Sequence, residues 1–197
     1  MCLLFETIKV ENGVFQNLHY HEARMNDARK KLLDSTDNIE LEKSLSVPAG
    51  CENEIYKCRV DYDHYIHKID FTPYKAGKIN TLKLVYDDEI SYQFKFTDRS
   101  RLEELKKNAN ADDVIIVKKG LITDTSFSNI IFLDGKKWVT PSTPLLKGTK
   151  RQELLEKEII FEQLIKLSDL KNFKKAKLIN AMLDFESSTE IEIKNII

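Results

Sequence analysis

The sequence has few of the residues that define disulfide-rich or zinc-binding proteins. Its 197 residues include only three cysteines, Cys2, Cys51 and Cys58. Their odd number and irregular spacing argue against a disulfide framework, and no C-x-x-C pair indicates a zinc site. This cysteine usage fits a reducing, cytoplasmic compartment, and no bound metal is expected.

Long apolar runs and an excess of one charge are missing too. No apolar run approaches the roughly 20 residues of a membrane-spanning helix, so no membrane partner is expected. The 31 basic and 32 acidic residues leave a formal net charge of −1, which indicates no nucleic-acid partner. There is no Gly-rich phosphate loop and no hydrolase-like Ser/His/Asp order. What remains is a globular chain, 42% apolar, long enough for one large or two small domains.

Strand-like patterns dominate the first half of the sequence. Asn12-Gly13 favours a tight turn after the first strand, and a helical apolar pattern begins at His21 and fades near Asp34. The predicted strands cover residues 3–10, 14–18, 54–61, 65–73 and 81–86. The first half is therefore predicted to be an antiparallel sheet with one helix beside it.

The second half alternates strands with short helices. Asp134-Gly135 predicts a hairpin between strands at 129–133 and 137–140. The other predicted elements are helices at 101–108, 150–158 and 168–173, and strands at 114–117, 161–167 and 177–181. The fold class is therefore α+β, with two small domains at 1–93 and 94–197 and a boundary between residues 88 and 98.

Four separated segments carry the chemical signal. They are His21-x-x-Arg24-Met25, Phe94-Lys95-Phe96, the run Thr123-Asp124 to Ser128-Asn129-Ile130, and Thr140-Pro141 followed by Leu146-Lys147-Gly148-Thr149-Lys150-Arg151. A lysine between two aromatic residues is partly desolvated, which favours the neutral amine that Schiff-base chemistry requires.

In this order the segments resemble the class IV (fold-type IV) enzymes that use pyridoxal phosphate (PLP). That family contains branched-chain and D-amino acid aminotransferases and aminodeoxychorismate lyase. The resemblance runs from about Phe5 to Ala181, although the chain is shorter than typical members. It implies a D-amino acid aminotransferase-like fold of mainly antiparallel sheet with flanking helices, PLP in a cleft between two domains, and a homodimer.

The resemblance gives roles to three charged residues. Lys95 matches the lysine that forms the Schiff base with PLP. Arg24 matches the arginine that binds the cofactor phosphate, a group that suits its bidentate fork. Asp124 stands where the family has a glutamate beside the pyridine nitrogen, one methylene longer. A carboxylate at that place keeps the nitrogen protonated and makes the ring an electron sink.

Five further residues match the cofactor segments of the family. Ser128 and Asn129 fall in the turn under the cofactor. Gly148 and Thr149 fall in the loop that offers N–H groups to the phosphate at a helix N-terminus. Lys150 replaces the family's threonine and could add a cation near the phosphate.

Details of sequence favour a lyase over an aminotransferase. Thr7 stands where the lyases have a hydroxyl that relays a proton, although threonine is also an ordinary strand residue. Asn180-Ala181 resembles the substrate-side sequence of the lyases. Arg59 is a candidate clamp for a substrate carboxylate, or else an edge-strand cation.

The sequence therefore predicts an aminodeoxychorismate lyase-like enzyme that releases pyruvate and gives 4-aminobenzoate. Its substrate is a small-molecule amine or amino acid. An amino acid aminotransferase of the branched-chain or D-amino acid type is the alternative. A non-catalytic binding or regulatory subunit that keeps the frame is the second alternative.

Overall fold

The computed structural model of the protein describes residues 3–197, so Cys2 lies outside the described residues. The α+β class predicted from the sequence is confirmed, since three sheets and four α-helices form within these residues. Contacts divide the chain into two compact units. The first contains the chain up to Ala76 together with Phe94–Asp98, and the second contains Gly77–Gln93 and Arg99–Ile197.

The first unit is built on a four-stranded antiparallel sheet, as predicted. Its strands are β1 (Leu4–Glu11), β2 (Val14–Phe15), β3 (Tyr56–Tyr62) and β4 (Ile66–Pro73), in the order β2-β1-β3-β4. Its helices are α1 (Leu18–Leu33) and α2 (Leu41–Ser44). Asn12 and Gly13 both have positive φ, 52° and 72°, which confirms the turn between β1 and β2.

One face of β1 builds the core of this unit. Leu4 and Ile8 pack with Met25 of α1 and with Cys58 and Val60 of β3. Because side chains alternate across a strand, Glu6 shares the buried face with Leu4 and Ile8. Phe5 and Thr7 point to the opposite face of the sheet.

The second unit contains two sheets. The three-stranded sheet has the order β5-β6-β7, with β5 at Leu82–Tyr86, β6 at Asp113–Lys118 and β7 at Leu121–Thr125. The five-stranded sheet has the order β10-β9-β8-β11-β12, with β8 at Asn129–Asp134, β9 at Lys137–Pro141, β10 at Ile160–Gln163, β11 at Lys175–Ile179 and β12 at Glu190–Glu192. Its helices are α3 (Ser100–Lys107), α4 (Thr149–Glu156) and two short 3-10 helices at Leu167–Asn172 and Ile193–Asn195. None of the helices within residues 3–197 is long and apolar enough to cross a membrane.

The strand predicted at 81–86 forms, but its predicted place in the antiparallel sheet of the first half is wrong. This strand, β5, pairs parallel with β6 of the second unit, from Leu82 opposite Asp113 to Tyr86 opposite Val117. The buried apolar strand β6 requires neighbours on both sides, and a strand's own residues do not specify its partner. Residues 77–93 consequently pack with the second unit, while the domain boundary at 93/94 stays a prediction.

Candidate active site

The main chain at Lys95 is fixed against β1 within the first unit. Phe5 N–H donates to the Lys95 carbonyl at 3.0 Å, and Thr97 N–H donates to the Leu3 carbonyl at 2.9 Å. Leu4 and Phe96 form an antiparallel bridge between these two bonds. Segment 94–98 thus behaves as a short extra strand that presents Lys95 from a rigid backbone.

The Lys95 amine lies over an aromatic ring that it shares with a second cation. Lys95 Nζ is 4.6 Å from the centroid of the Phe5 ring, and the guanidinium carbon of Arg59 is 4.1 Å from the same centroid. Both distances are typical of cation–π contacts. Arg59 Nε donates to Asp61 Oδ1 at 2.8 Å, which holds the guanidinium in place.

Thr7 lies directly opposite Arg59 in the pairing of β1 with β3. Opposite residues of an antiparallel pair point to the same face. The first unit therefore brings Lys95, Arg59 and Thr7 to the Phe5 side of its sheet. Their assignment to catalysis and substrate binding stays a prediction.

The fork of Arg24 is held by a buried carboxylate. Arg24 Nε donates to Glu6 Oε1 at 2.9 Å, and Arg24 Nη2 donates to Glu6 Oε2. His21 Nδ1 lies 2.7 Å from Glu6 Oε2. Glu6 and His21 have no exposed side-chain surface. The structure therefore orients Arg24 through Glu6, and its contact with a phosphate stays a prediction.

Neighbouring charges and burial together set the protonation of Glu6 and His21. Burial by itself would raise the pKa of Glu6, but the Arg24 guanidinium and the His21 hydrogen bond outweigh burial and hold that pKa at about 2. Burial lowers the pKa of His21 despite its bond to Glu6. His21 is then neutral at pH 7, and its Nδ1–H donates to Glu6. Glu6 is not among the residues predicted for the site, and its only signal in the sequence is an acidic residue on the core face of a strand.

The second unit holds a buried acid at the end of β7. Asp124 Oδ1 accepts a hydrogen bond from Asn129 Nδ2 at 2.8 Å, and Asp124 Oδ2 accepts one from Leu146 N–H at 2.9 Å. Burial raises the pKa of Asp124 to about 6, against the effect of these bonds and of the Arg151 charge.

The turn after β7 brings the other predicted residues of this unit together. Thr125 Oγ1 donates to the Ser128 carbonyl at 3.0 Å and accepts from Ser128 N–H at 3.0 Å. Asn180 Nδ2 donates to Ser128 Oγ at 2.8 Å, and Asn180 Oδ1 accepts from Met182 N–H at 2.8 Å. Both the nitrogen and the oxygen of the Asn180 amide are thus hydrogen-bonded within the protein. The predicted substrate contact of Asn180 and Ala181 stays a prediction, to which these hydrogen bonds add no support.

A close main-chain approach explains the glycine before α4. A Cβ at Gly148 would lie 2.1 Å from Asn129 Oδ1, so any larger residue would displace the amide that holds Asp124. Asn129 Nδ2 also donates to the Leu146 carbonyl at 2.8 Å. The loop 146–148 and the turn at Asn129 are therefore one packed unit, followed by the buried Thr149 at the start of α4.

The basic residues after Gly148 have protein partners. Lys150 Nζ lies 2.7 Å from Glu153 Oε2 and 3.9 Å from Asp184 Oδ1. Arg151 is buried, and its Nη2 donates to the Pro141 carbonyl at 3.0 Å and to Glu162 Oε1 at 2.6 Å. Lys150 would have to exchange its ion pairs to bind a phosphate, so that role stays a prediction, and Arg151 acts as a structural brace.

Replacement of Asp124 by asparagine is expected to flatten the pH dependence of stability between about pH 4 and pH 6. Folding raises the pKa of Asp124 from 3.8 to about 6, so the folded state keeps this proton when the unfolded state has lost it. The resulting stabilisation, about 3 kcal/mol, is complete below pH 4 and is lost as the pH rises through 6. Urea unfolding of the cofactor-free protein from pH 4 to 7 measures it.

The exposed residue Asp134, at the end of β8, provides the control, since Asp134→Asn leaves every buried carboxylate in place. That variant should keep the pH slope of the parent. An unchanged slope in Asp124→Asn would contradict the raised pKa.

Comparison with known proteins identifies the class to which this fold and these residues belong. Residues 93–190 match the model of the amino-transferase class IV family. A crystal structure of a putative 4-amino-4-deoxychorismate lyase from Haemophilus somnus 129PT is 34% identical, with a TM-score of 0.88 over 92% of this chain and 97% of that chain. The chain belongs to the class IV aminotransferase family and is an enzyme of that family.

Two further relatives complete the comparison. An uncharacterized protein of Haemophilus influenzae is 37% identical over 185 residues, which cover 92% of this chain and 98% of the relative. The PLP-bound form of a hypothetical aminotransferase from Mycobacterium tuberculosis is 17% identical, with a TM-score of 0.78 over 96% of this chain and 80% of that chain. The latter likeness shows a shared fold.

Proposed function

We propose that the protein binds PLP through Lys95 and acts as an aminodeoxychorismate lyase, releasing pyruvate and leaving 4-aminobenzoate. The observation that carries the proposal is Asp124. It is a buried carboxylate, 5% exposed, with a pKa raised to about 6. Such a group is stabilised by a positive partner, and a protonated pyridine nitrogen is a partner of this kind.

The residues present fit this cofactor. Arg24 carries a permanent positive charge that suits a phosphate, and Glu6 fixes the direction of its guanidinium through Nε and Nη2. Because Gly148 has no side chain, its main chain can lie directly against the Asn129 amide, where a Cβ would clash. Gly148 also precedes α4, whose first N–H groups can bind an anion. The Asn129 amide sets the direction of the Asp124 carboxylate.

When bound, PLP supplies an electron sink for negative charge that develops on the substrate. Lys95 Nζ is the covalent anchor, and it is also the base that takes a proton from the substrate and returns it. Asp124 is the residue that would hold a proton on the pyridine nitrogen of the bound cofactor. Deep burial excludes water from this carboxylate, which strengthens its interaction with a cation.

Arg59 and Thr7 would act on the substrate. Because Arg59 Nε is bound to Asp61, its two terminal nitrogens can bind a carboxylate in bidentate fashion. Thr7, opposite Arg59 in the sheet, would relay a proton to the departing enol of pyruvate: its hydroxyl gives up one proton and takes up the one that Lys95 removed from the substrate.

An amino acid aminotransferase of the branched-chain or D-amino acid type is the second candidate. The matching family takes its name from this activity, and the roles of Lys95, Arg24 and Asp124 are the same in both reactions.

The main proposal, the lyase, has three further parts. The substrate is a small-molecule amine or amino acid, the protein is a homodimer, and it acts in folate biosynthesis in the cytoplasm.

The test is a comparison of two reactions with the PLP-treated protein after removal of excess cofactor. Release of pyruvate and 4-aminobenzoate from aminodeoxychorismate is the expected result. Amino transfer to a 2-oxo acid without pyruvate release would replace the lyase by the aminotransferase. A protein that retains no PLP would overturn both.

Thr7→Val separates a catalytic hydroxyl from an ordinary strand residue. The expected result is a fall of about 100-fold in lyase turnover, which is typical of losing a proton donor. Valine keeps the shape and strand preference of threonine. The control is Thr72→Val, at an exposed position of β4 in the same sheet, which should leave turnover unchanged.

A further inference from the structure

The second unit contains a buried acid that the proposed chemistry does not use. Asp113, the first residue of β6, is completely buried. Its Oδ1 accepts a hydrogen bond from Ser126 Oγ, whereas its Oδ2 has no hydrogen-bond partner among residues 3–197. Burial of a half-satisfied carboxylate is costly. An arrangement of this kind indicates a role that outweighs its cost.

Ser126 is held at a second atom by a cation. Arg99, the residue before α3, donates from Nη2 to the Ser126 carbonyl at 2.7 Å. Lys106, in the last turn of α3, lies 3.8 Å from Asp113 Oδ1 and 5.3 Å from the centroid of the Phe127 ring. Ser126 is thus bound by Asp113 of β6 and by Arg99 before α3, and the next residue, Phe127, is contacted by Lys106 of α3. These contacts of Ser126 are called the grip.

The gripped residue lies in the middle of the turn that carries the candidate cofactor groups. Asp124 lies two residues before Ser126, and Ser128 and Asn129 follow it. The hydrogen bonds inside the turn join Thr125 to Ser128. They fix the shape of the turn, whereas the pairing of β7 with β6 ends at Thr125, opposite Ile115. The contacts of Asp113 and Arg99 with Ser126 extend the attachment to β6, and add one to the start of α3, beyond the end of that strand pairing and into the turn itself.

We propose that Asp113 and Arg99 are positioning residues that hold Ser126 from two sides and thereby keep Asp124 and Asn129 in the geometry needed to bind the cofactor. The placing of the turn follows from this unit alone. The consequence for cofactor binding rests on the proposed function.

The first arm of the test uses cofactor-free protein. In Asp113→Asn, amide hydrogen exchange at residues 124–129 is expected to be about tenfold faster, because the neutral amide oxygen accepts a weaker hydrogen bond from Ser126 than the carboxylate does. The pKa of Asp124, followed by carboxyl-carbon NMR, is expected to move from about 6 toward 3.8 as water reaches it. The control Asp134→Asn should change neither.

Arg99→Gln is a second variant that tests the same proposal if Asp113→Asn fails to fold, because it removes the other contact that holds Ser126. It should reproduce the faster exchange at 124–129. Its matched control is Arg101→Gln, an exposed arginine of α3 bonded to Asp87 and Glu104. A lower unfolding stability with unchanged exchange at the turn and an unchanged Asp124 titration would show a merely structural role and overturn the proposal.

The second arm measures PLP binding. Asp113→Asn and Arg99→Gln are each expected to raise the dissociation constant about tenfold. Because Asp113 acts through Ser126, the two substitutions should not add. The double variant Asp113→Asn/Ser126→Ala should bind PLP no more weakly than whichever of its two single variants binds PLP less tightly. Additive losses would overturn the route through Ser126. A parent that binds no PLP would overturn the proposed function, while the first arm would still decide the role of the grip.

Discussion

Lys95→Ala is expected to lower turnover by about 10⁴-fold or more and to remove the visible absorption band of the PLP-treated protein. The amine is proposed to serve both as the covalent anchor and as the base that moves the substrate proton, so its removal deletes two functions at once. Phe5 lies under the amine and would remain as an apolar floor. Absorption spectra and product release, measured on the same preparations, test the two functions together.

A second lysine of the chain gives a matched control. Lys137 Nζ lies 5.4 Å from the centroid of the Phe161 ring, so Lys137→Ala also removes a cation from a phenylalanine. It should keep the absorption band and the turnover of the parent. A yellow, active Lys95→Ala protein would remove Lys95 from the mechanism.

Glu6→Gln is expected to lower the free energy of unfolding at pH 7 by about 3–5 kcal/mol, the usual cost of breaking a buried ion pair from one side. Glutamine keeps the volume of Glu6, but it leaves the Arg24 fork and the His21 ring without their shared negative partner. Arg24 would then lose its fixed direction, and the dissociation constant for PLP should rise with the loss of stability. Urea unfolding and PLP titration measure the two effects.

The pH dependence provides an independent check on Glu6. Because its pKa is lowered on folding from 4.5 to about 2, the group stabilises the fold fully above pH 4.5, by about 3 kcal/mol, and this stabilisation is lost as the pH falls toward 2. In Glu6→Gln this part of the acid slope should vanish. Glu54→Gln, in an exposed loop, should keep it. An acid slope unaffected by the Glu6 substitution would show that other carboxylates cause it.

Local patterns were sufficient to predict several elements of the fold. The apolar spacing from Met25 onward predicted α1, although the helix begins at Leu18, before the predicted start. Asn12-Gly13 and Asp134-Gly135 marked turns that form. The strand predicted at 161–167 is shorter and ends at Gln163, because the chain leaves β9 there and bonds to β7 instead. Ile122 N–H donates to the Ile165 carbonyl, and Leu121 forms an antiparallel bridge with Lys166.

Features that depend on distant parts of the chain were not predictable from those patterns. The parallel pairing of Leu82–Tyr86 with β6 joins segments about 30 residues apart, and neither strand encodes its partner. Asp113 looked like one of two acids before an apolar run, and only the fold brings it to Ser126. The motif matches pointed to Arg24, Lys95 and Asp124. Asn129, which orients Asp124, lies in the same matched segment, whereas Glu6, which orients Arg24, lies outside the matched segments.

The backbone of segment 94–98 is secured to β1 on both sides of Lys95, and this has a kinetic consequence. An amine on a tethered main chain explores only the arc of its own side chain. In the proposed mechanism the amine would therefore stay at a high effective concentration beside a bound substrate, as in an intramolecular reaction. The entropic cost of restraining the amine is met when the chain folds, so that only the substrate has still to be bound and oriented.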